Sequence, residues 1–125
     1  MGTKFRFKKF KVYQDSKAFC KFCRDIIERE IKRKDGGLAG QIQGALNSIV
    51  LNIAEGSADN SDIEFARFLG ISIRSVYETV AGFDLALLYD LINENVNQKI
   101  ENDAHQLVRQ LSGFRNSLKS AKVKG

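Results

Sequence analysis

Two cysteines three residues apart, Cys20 and Cys23, have the spacing in this sequence that most resembles a reactive motif. The C-x-x-C spacing occurs in zinc sites and in thioredoxin-type redox sites. A structural zinc site needs four ligands, whereas this chain has two cysteines and one histidine. A thioredoxin-type site needs a βαβ setting, which the helical pattern around the pair does not provide. On a helix the two thiols share an apolar face with Phe19, Ile26 and Ile27, so we predict that they pack in the core.

The other groups that could support chemistry are the single histidine, His105, and four carboxylates. Di-iron bundles use two Glu-x-x-His motifs, and residues 102–104 before His105 do not complete even one. The carboxylates are close in sequence and could bind a divalent cation: Glu55, Asp59, Asp62 and Glu64. They lack EF-hand spacing, and Ser61 and Glu64 have the spacing of a capping box at a helix start. We therefore predict that the chain is not an enzyme and has no metal and no cofactor.

Positive charge is the remaining feature that could bind a ligand, and it is concentrated at the two ends of the chain. The net charge of +5 is composed of +8 over residues 1–34, −7 over residues 35–94 and +4 over residues 95–125. Residues 1–9 are a basic arm in which phenylalanines alternate with lysines and an arginine, a combination that can contact phosphates and stack on bases. The arm is predicted to be loosely ordered, with its rings either on nucleic acid or packed on protein.

Four amphipathic segments predict the helices that position these groups: residues 11–34, 38–55, 62–91 and 93–121. The chain contains no proline, which fits long helices joined by short loops. The third segment has the strongest period, an a/d seam of three heptads from Ala66 to Leu87. It also has a second apolar set on another face, which favours an oligomer.

Small residues mark the second segment and its start. Gly36 and Gly37 are predicted to end the first helix. Gly40, Gly44 and Ser48 recur every four residues on one helix face and predict a close contact with a neighbouring helix.

The predicted fold is a single all-α domain over residues 1–125, an up-down-up-down antiparallel four-helix bundle with residues 122–125 as a frayed tail. Long helices joined by short loops pack as antiparallel neighbours. No apolar run reaches the ~20 residues needed to span a bilayer, and the N-terminus lacks the apolar core of a signal peptide. We therefore expect a cytoplasmic protein with no membrane partner.

Two short runs carry a resemblance to a known family: residues 52–56, Asn-Ile-Ala-Glu-Gly, and residues 61–69, Ser-Asp-Ile-Glu-Phe-Ala-Arg-Phe-Leu. They resemble the signature of bacterial proteins encoded in intervening sequences of 23S rRNA genes, and the resemblance covers residues 10–119. It implies a ring-like homo-oligomer, a pentamer. It also implies similarity to basic accessory proteins of retroelements, with a reverse transcriptase as a partner. Gln43 and Gly44 stand where the family carries basic residues.

Two functions fit these features. The first is a non-catalytic oligomeric scaffold that binds RNA or DNA through its basic first and last helices. Because the second helix lacks basic residues, the candidate contacts lie in the arm and in the first and fourth helices: Lys8, Lys9, Lys11, Arg109, Arg115 and Lys119. The alternative is a protein–protein interaction module with no nucleic-acid role. In that case the opposed charges of the middle and the ends steer self-association or the binding of a partner.

Overall fold

Four helices account for most of the computed structural model, which describes residues 2–58 and 60–124, with side chains to residue 120. They are α1 (Lys11–Ile26), α2 (Gly36–Ser57), α3 (Asp62–Leu88) and α4 (Glu94–Lys124). No strand occurs in these residues, so the all-α prediction is confirmed. No helix in the described part of the chain is both long and apolar enough to cross a membrane. The backbone of α4 stays helical to Lys124, beyond its predicted end.

Consecutive helices run in opposite directions. Along α2 and α3, an Ile49 carbonyl accepts from Ser72 near the middle, and Gly82 lies against Ile42 further along. α1 contacts both α2 and α4, and α3 contacts both α2 and α4, which closes the four helices around one core. This is the packing that short loops between long helices predict.

α1 continues into a π-helical segment, Ile27–Ile31, that the hydrophobic period does not predict. The N–H of Lys32 donates to the carbonyl of Ile27, five residues earlier, at 2.9 Å. The wider turn places Ile31 in the core and leaves Glu30 exposed. The segment therefore adds one residue to the turn while Ile31 stays on the core face.

Each later helix begins at a side-chain cap. Asp35 accepts from the N–H of Leu38 at 3.0 Å, so Gly36 and Gly37 open α2 rather than end the first helix. Ser61 accepts from the N–H of Glu64 at 3.3 Å, which confirms the predicted start of α3. Before α4, the predicted cap Asn93 accepts from the N–H of Val96 at 2.9 Å.

The contact between α2 and α3 is built on small residues. They recur on α3 at steps of three and four: Ser72, Ser75, Thr79, Gly82 and Ala86. An added Cβ at Gly82 would lie 2.6 Å from Cγ1 of Ile42, and one at Gly56 would lie 2.6 Å from Cβ of Phe68. The two backbones can therefore approach closely only because these positions have no side chain. The seam predicted from Ala66 to Leu87 is also buried or half-buried, on the neighbouring side of α3.

Within one copy of the chain, Gly40 and Gly44 do not make the predicted close contact with a neighbouring helix. Both are exposed, and an added Cβ at either would meet nothing within 4 Å. Of that row, Ser48 does reach α3, where it lies 2.8 Å from the hydroxyl of Ser75.

α3 ends at a left-handed residue. Asp90 has φ 59°, the Leu91 N–H donates to the Ala86 carbonyl at 2.9 Å, and the Asp90 N–H donates to the Leu87 carbonyl at 3.0 Å. This is the hydrogen-bond pattern of a Schellman motif, and it ends α3 at Leu88 rather than at the predicted Leu91.

Replacing Asp90 with glycine is expected to raise the free energy of unfolding by about 0.5–1 kcal/mol, because glycine adopts positive φ without a Cβ penalty. Urea unfolding of the two proteins measures the change. Asp90→Ala is the matched control, since it removes the same charge but keeps a Cβ at this position, and it should lose stability. An alanine variant as stable as the glycine variant would show that charge, not conformation, decides the effect.

Candidate nucleic-acid interface

The first and last helices, which carry the basic ends of the chain, are neighbours. Gln110 of α4 donates to Asp15 of α1 at 2.8 Å. Near the same end, the rings of Phe10 and Phe114 meet edge to face with centroids 5.4 Å apart. The basic ends of the sequence therefore meet on one side of the bundle.

Two of the six predicted contact residues line one groove between these helices. This α1–α4 groove is lined by Phe10, Lys11, Val12, Arg109, Gln110, Gly113 and Phe114. An added Cβ at Gly113 would meet nothing within 4 Å, so the floor of the groove is open to solvent there. Lys11 and Arg109 are 98 positions apart in the sequence, and both are exposed. The groove thus has a cation from each helix and an aromatic end.

Lys11 also forms an ion pair within α1. Its ammonium lies 2.6 Å from Asp15 across an exposed i,i+4 pair. Hydrogen bonds from Lys11 and Gln110 lower the pKa of Asp15 below its ordinary value. An exposed pair of this kind contributes at most about 1 kcal/mol. A phosphate can therefore compete with Asp15 for the ammonium.

The arm is more ordered than the sequence predicts. Residues Arg6–Lys9 form a short 3-10 turn. The guanidinium of Arg6 donates to the carbonyl of Ser57 from Nε at 3.0 Å and from Nη2 at 2.9 Å. It also lies 5.4 Å from the ring centroid of Phe65. Arg6 therefore caps the end of α2 and fixes the arm against the bundle.

The phenylalanines in the arm and directly after it differ in how far they pack on the bundle. Phe7 packs edge to face on Tyr13 at 4.9 Å, and Phe10 stacks on Phe65 at 6.1 Å. Both rings thus pack on the chain's own bundle. Phe5 does not, and 62% of its surface is exposed.

Lys8 and Lys9 are exposed at the start of α1. Phe10, the residue before the helix, provides no side-chain cap, and the first turn of α1 has no acidic residue. The positive end of the helix dipole therefore adds to the charge of Lys8, Lys9 and Lys11. These three lysines and Arg109 form the set that we call the basic surface.

Arg115 and Lys119 belong to a different face of α4. An added Cβ at Gly70 of α3 would lie 3.5 Å from Nε of Arg115, so this arginine lies over α3. Its Nε is buried and has no acceptor among the described residues. Lys119 is exposed four residues later, on the same side of the helix. The structure does not bring these two together with the basic surface.

Three residues outside the basic surface, which the charge pattern could not identify, help to shape it. Gln110 links α4 to Asp15, Gly113 leaves the groove open, and Arg6 fixes the arm. Gln110 and Gly113 carry no charge and stand in no motif. Arg6 stands among other basic residues, and nothing local distinguishes it from them.

Cys23 is in the core, as predicted, and Cys20 is half-buried against it. Cys20 donates to the carbonyl of Leu46 at 3.2 Å, and Cys23 is fully buried. Burial raises the pKa of Cys20 to about 12 and raises that of Cys23 as well. Both thiols are therefore protonated near neutral pH, whereas a nucleophile or a metal ligand needs the ionised thiolate.

His105 and the carboxylates around the loop before α3 are the remaining candidate groups. His105 is exposed beside Ala104 of the core. Glu64 pairs with Arg67 at 3.0 Å, and Asp59 lies outside the described residues. No group of three or more His, Cys, Asp or Glu side chains that could hold a metal occurs in the part of the chain that is described.

On the opposite side of the bundle, the outer face of α2 is uncharged, whereas that of α3 exposes Arg74, Glu78 and Asp84 beside apolar side chains. From residue 36 to residue 54, α2 contains no charged residue, and its outer face exposes Gly40, Gly44, Asn47 and Leu51. The outer side of α3 exposes three apolar or aromatic side chains, with Leu85 towards α2, Tyr77 towards α4, and Leu88. We call these seven residues the α2–α3 face.

Comparisons with known proteins agree with this fold. The model of a family described as 23S rRNA-intervening sequence protein matches residues 8–113. A crystal structure of a protein of unknown function from the S23 ribosomal protein family of Bacteroides thetaiotaomicron is similar, with a TM-score of 0.74. The two share 21% sequence identity, and the match covers 83% of this chain and 97% of that chain. No curated protein matches.

Proposed function

This chain belongs to the 23S rRNA-intervening sequence protein family, and we propose that it is a non-catalytic scaffold that binds nucleic acid. The observation that supports this function is the basic surface. Lys11 and Arg109, from opposite ends of the sequence, line one groove, and Lys8 and Lys9 are exposed beside it. Lysine and arginine side chains bind nucleic acid by contacting phosphates and releasing counterions.

The second helix limits where nucleic acid can bind. Gln43 is half-buried and donates to Asn47 at 2.9 Å, while Gly44 is exposed and has no side chain to contact a phosphate. These are the positions at which the family resemblance leads one to expect basic residues. In this chain the phosphate contacts therefore belong to the arm, α1 and α4.

The scaffold assembles, in this proposal, from several copies of the chain through the α2–α3 face. A solvated helix normally has charges on its outer face, whereas the outer face of α2 has none between residues 36 and 54. Tyr77 is 66% exposed and Leu88 is 71% exposed, which leaves apolar area for a contact. Five copies in a ring, a reverse transcriptase as a partner and a cytoplasmic location stay expectations.

The same exposed residues support the second candidate, a protein–protein interaction module with no nucleic-acid role. Both candidates use the α2–α3 face, so finding an oligomer does not separate them. They differ only in the role of the basic surface.

A titration of the purified protein with labelled RNA and duplex DNA at several salt concentrations separates the two functions. If the four cations of the basic surface contact phosphates, the slope of log K against log salt should lie between about −2.8 and −3.6, from ~0.7–0.9 per contact. Size exclusion with light scattering should show the oligomer moving with nucleic acid at low salt. An oligomer with no affinity for either nucleic acid at about 50 mM salt would support the interaction module instead.

A further inference from the structure

One aromatic ring of the arm stands among lysines and faces solvent. Phe5 is 62% exposed, and Lys4, Lys8 and Lys9 around it are exposed as well. The backbone of Phe5 is held at both ends, since its N–H donates to the hydroxyl of Thr3 at 3.0 Å and its carbonyl accepts from Lys8 at 3.2 Å. The ring is therefore presented from a fixed turn.

Contacts of the two residues after Phe5 hold this part of the arm in place. Arg6, the next residue, is bound to the carbonyl of Ser57, and Phe7 packs on Tyr13. The ring of Phe5 lies 6.0 Å from that of Phe7, in a tilted arrangement. A fixed ring loses little conformational entropy when another flat group stacks on it.

Two other exposed aromatic rings among the described side chains have acidic surroundings. Tyr77 lines a groove between α3 and α4 together with Asp84 and Glu101. Tyr89 is followed directly by Asp90. These carboxylates repel phosphate, so neither tyrosine is placed to stack on a nucleic-acid base as Phe5 is.

Stacking on an exposed ring needs an unpaired base. In a duplex the faces of the bases are already covered by their neighbours, whereas bases of a single strand can turn outward and stack on an aromatic side chain. Resting on the proposed function, we propose that Phe5 is a stacking platform that makes the basic surface bind single-stranded nucleic acid more tightly than duplex.

Fluorescence anisotropy can test this with four probes of about 12 nucleotides, within the range that one such surface spans. The probes are oligouridylate, oligothymidylate, and an RNA and a DNA duplex of the same length. Phe5→Ala should weaken binding of both single strands about tenfold and leave duplex binding unchanged. Phe5→Trp should keep single-strand affinity, because every base can stack on an indole. Tyr89→Ala is the matched control and should change nothing.

The outcomes separate this inference from the proposed function. Wild-type protein that binds duplex as tightly as single strand would overturn the inference and leave the proposed function intact. The inference is equally overturned if Phe5→Ala weakens both kinds of probe to the same extent, or neither. Wild-type protein that binds no probe would overturn the proposed function, and the inference with it.

Discussion

Gly82→Ala is expected to lower the free energy of unfolding by about 1–3 kcal/mol, although alanine forms helices better than glycine. The added Cβ would lie 2.6 Å from Cγ1 and 3.2 Å from Cδ1 of Ile42. Ile42 cannot easily move away, because it is 1% exposed and its branched side chain has one strongly preferred χ1 in a helix. The overlap must therefore be relieved by separating α2 from α3.

Gly113→Ala, inside α4 and outside the α2–α3 face, is the matched control for this prediction. It makes the same chemical change in a helix, at a position where an added Cβ meets nothing within 4 Å. It should therefore gain about 1 kcal/mol from helix propensity alone. Thermal and urea unfolding should therefore show that Gly82→Ala is less stable than the wild type and that the control is more stable. Two variants that both gain stability would show that α2 and α3 do not approach as closely as the structure shows.

A double-mutant cycle identifies the partner. In an Ile42→Ala background, the alanine at position 82 has room, so its cost should largely disappear and the two changes should not be additive. An unchanged cost in that background would place the clash elsewhere.

Reversing the charge of Lys8, Lys9 and Lys11 to glutamate is expected to weaken nucleic-acid binding by at least about a hundredfold at moderate salt. Three of the four cations of the basic surface would then repel phosphate. The slope of log K against log salt should become shallower by about 2–3, since each lost contact removes ~0.7–0.9. Anisotropy titrations at several salt concentrations measure both quantities.

The control places the same three reversals at the other end of α1 and the π-helical segment. Lys32, Arg33 and Lys34 are exposed and change the net charge equally when replaced by glutamate. They are more than 20 residues from Lys11, about 30 Å along a helix. This control should lose much less affinity. Equal losses in the two variants would mean that net charge, and not the basic surface, governs binding.

Local signals predict most of the fold. The caps at Ser61 and Asn93 act through atoms within three residues, so their spacing in the sequence is sufficient to locate two helix starts. Gly36 and Gly37 show the limit of such signals. Glycine occurs at both ends of helices, and Asp35 before the pair decides that they begin α2.

The contact between α2 and α3 could not be predicted from hydrophobic period. The period identifies apolar stripes, whereas Ser72, Thr79 and Gly82 are polar or have no side chain. Their burial is decided by α2, which supplies the Ile49 carbonyl for Ser72 and the Ile42 side chain against Gly82. Small residues that recur at steps of three and four along α3 are the signal that identifies its contact with α2.

The candidate site is predictable in charge but not in geometry. The sum of charges at the two ends of the chain indicates that α1 and α4 carry the positive potential. Which cations meet depends on the rotation of α4, which places Arg109 beside α1 and Arg115 over Gly70 of α3. The apolar stripe of α4 fixes which face meets the core, but it does not say which neighbouring helix lies on each side of that stripe.

The hydrogen bonds from Arg6 to Ser57 also imply an order of events during synthesis of the chain. A ribosome synthesises the arm before its acceptor, which follows 51 residues later, and Phe114, the partner of Phe10, comes later still. Contacts this distant in sequence form only after the intervening chain exists. The arm is thus synthesised early and docked late, and its lysines and phenylalanines are accessible to other molecules on the nascent chain until α2, α3 and α4 are complete.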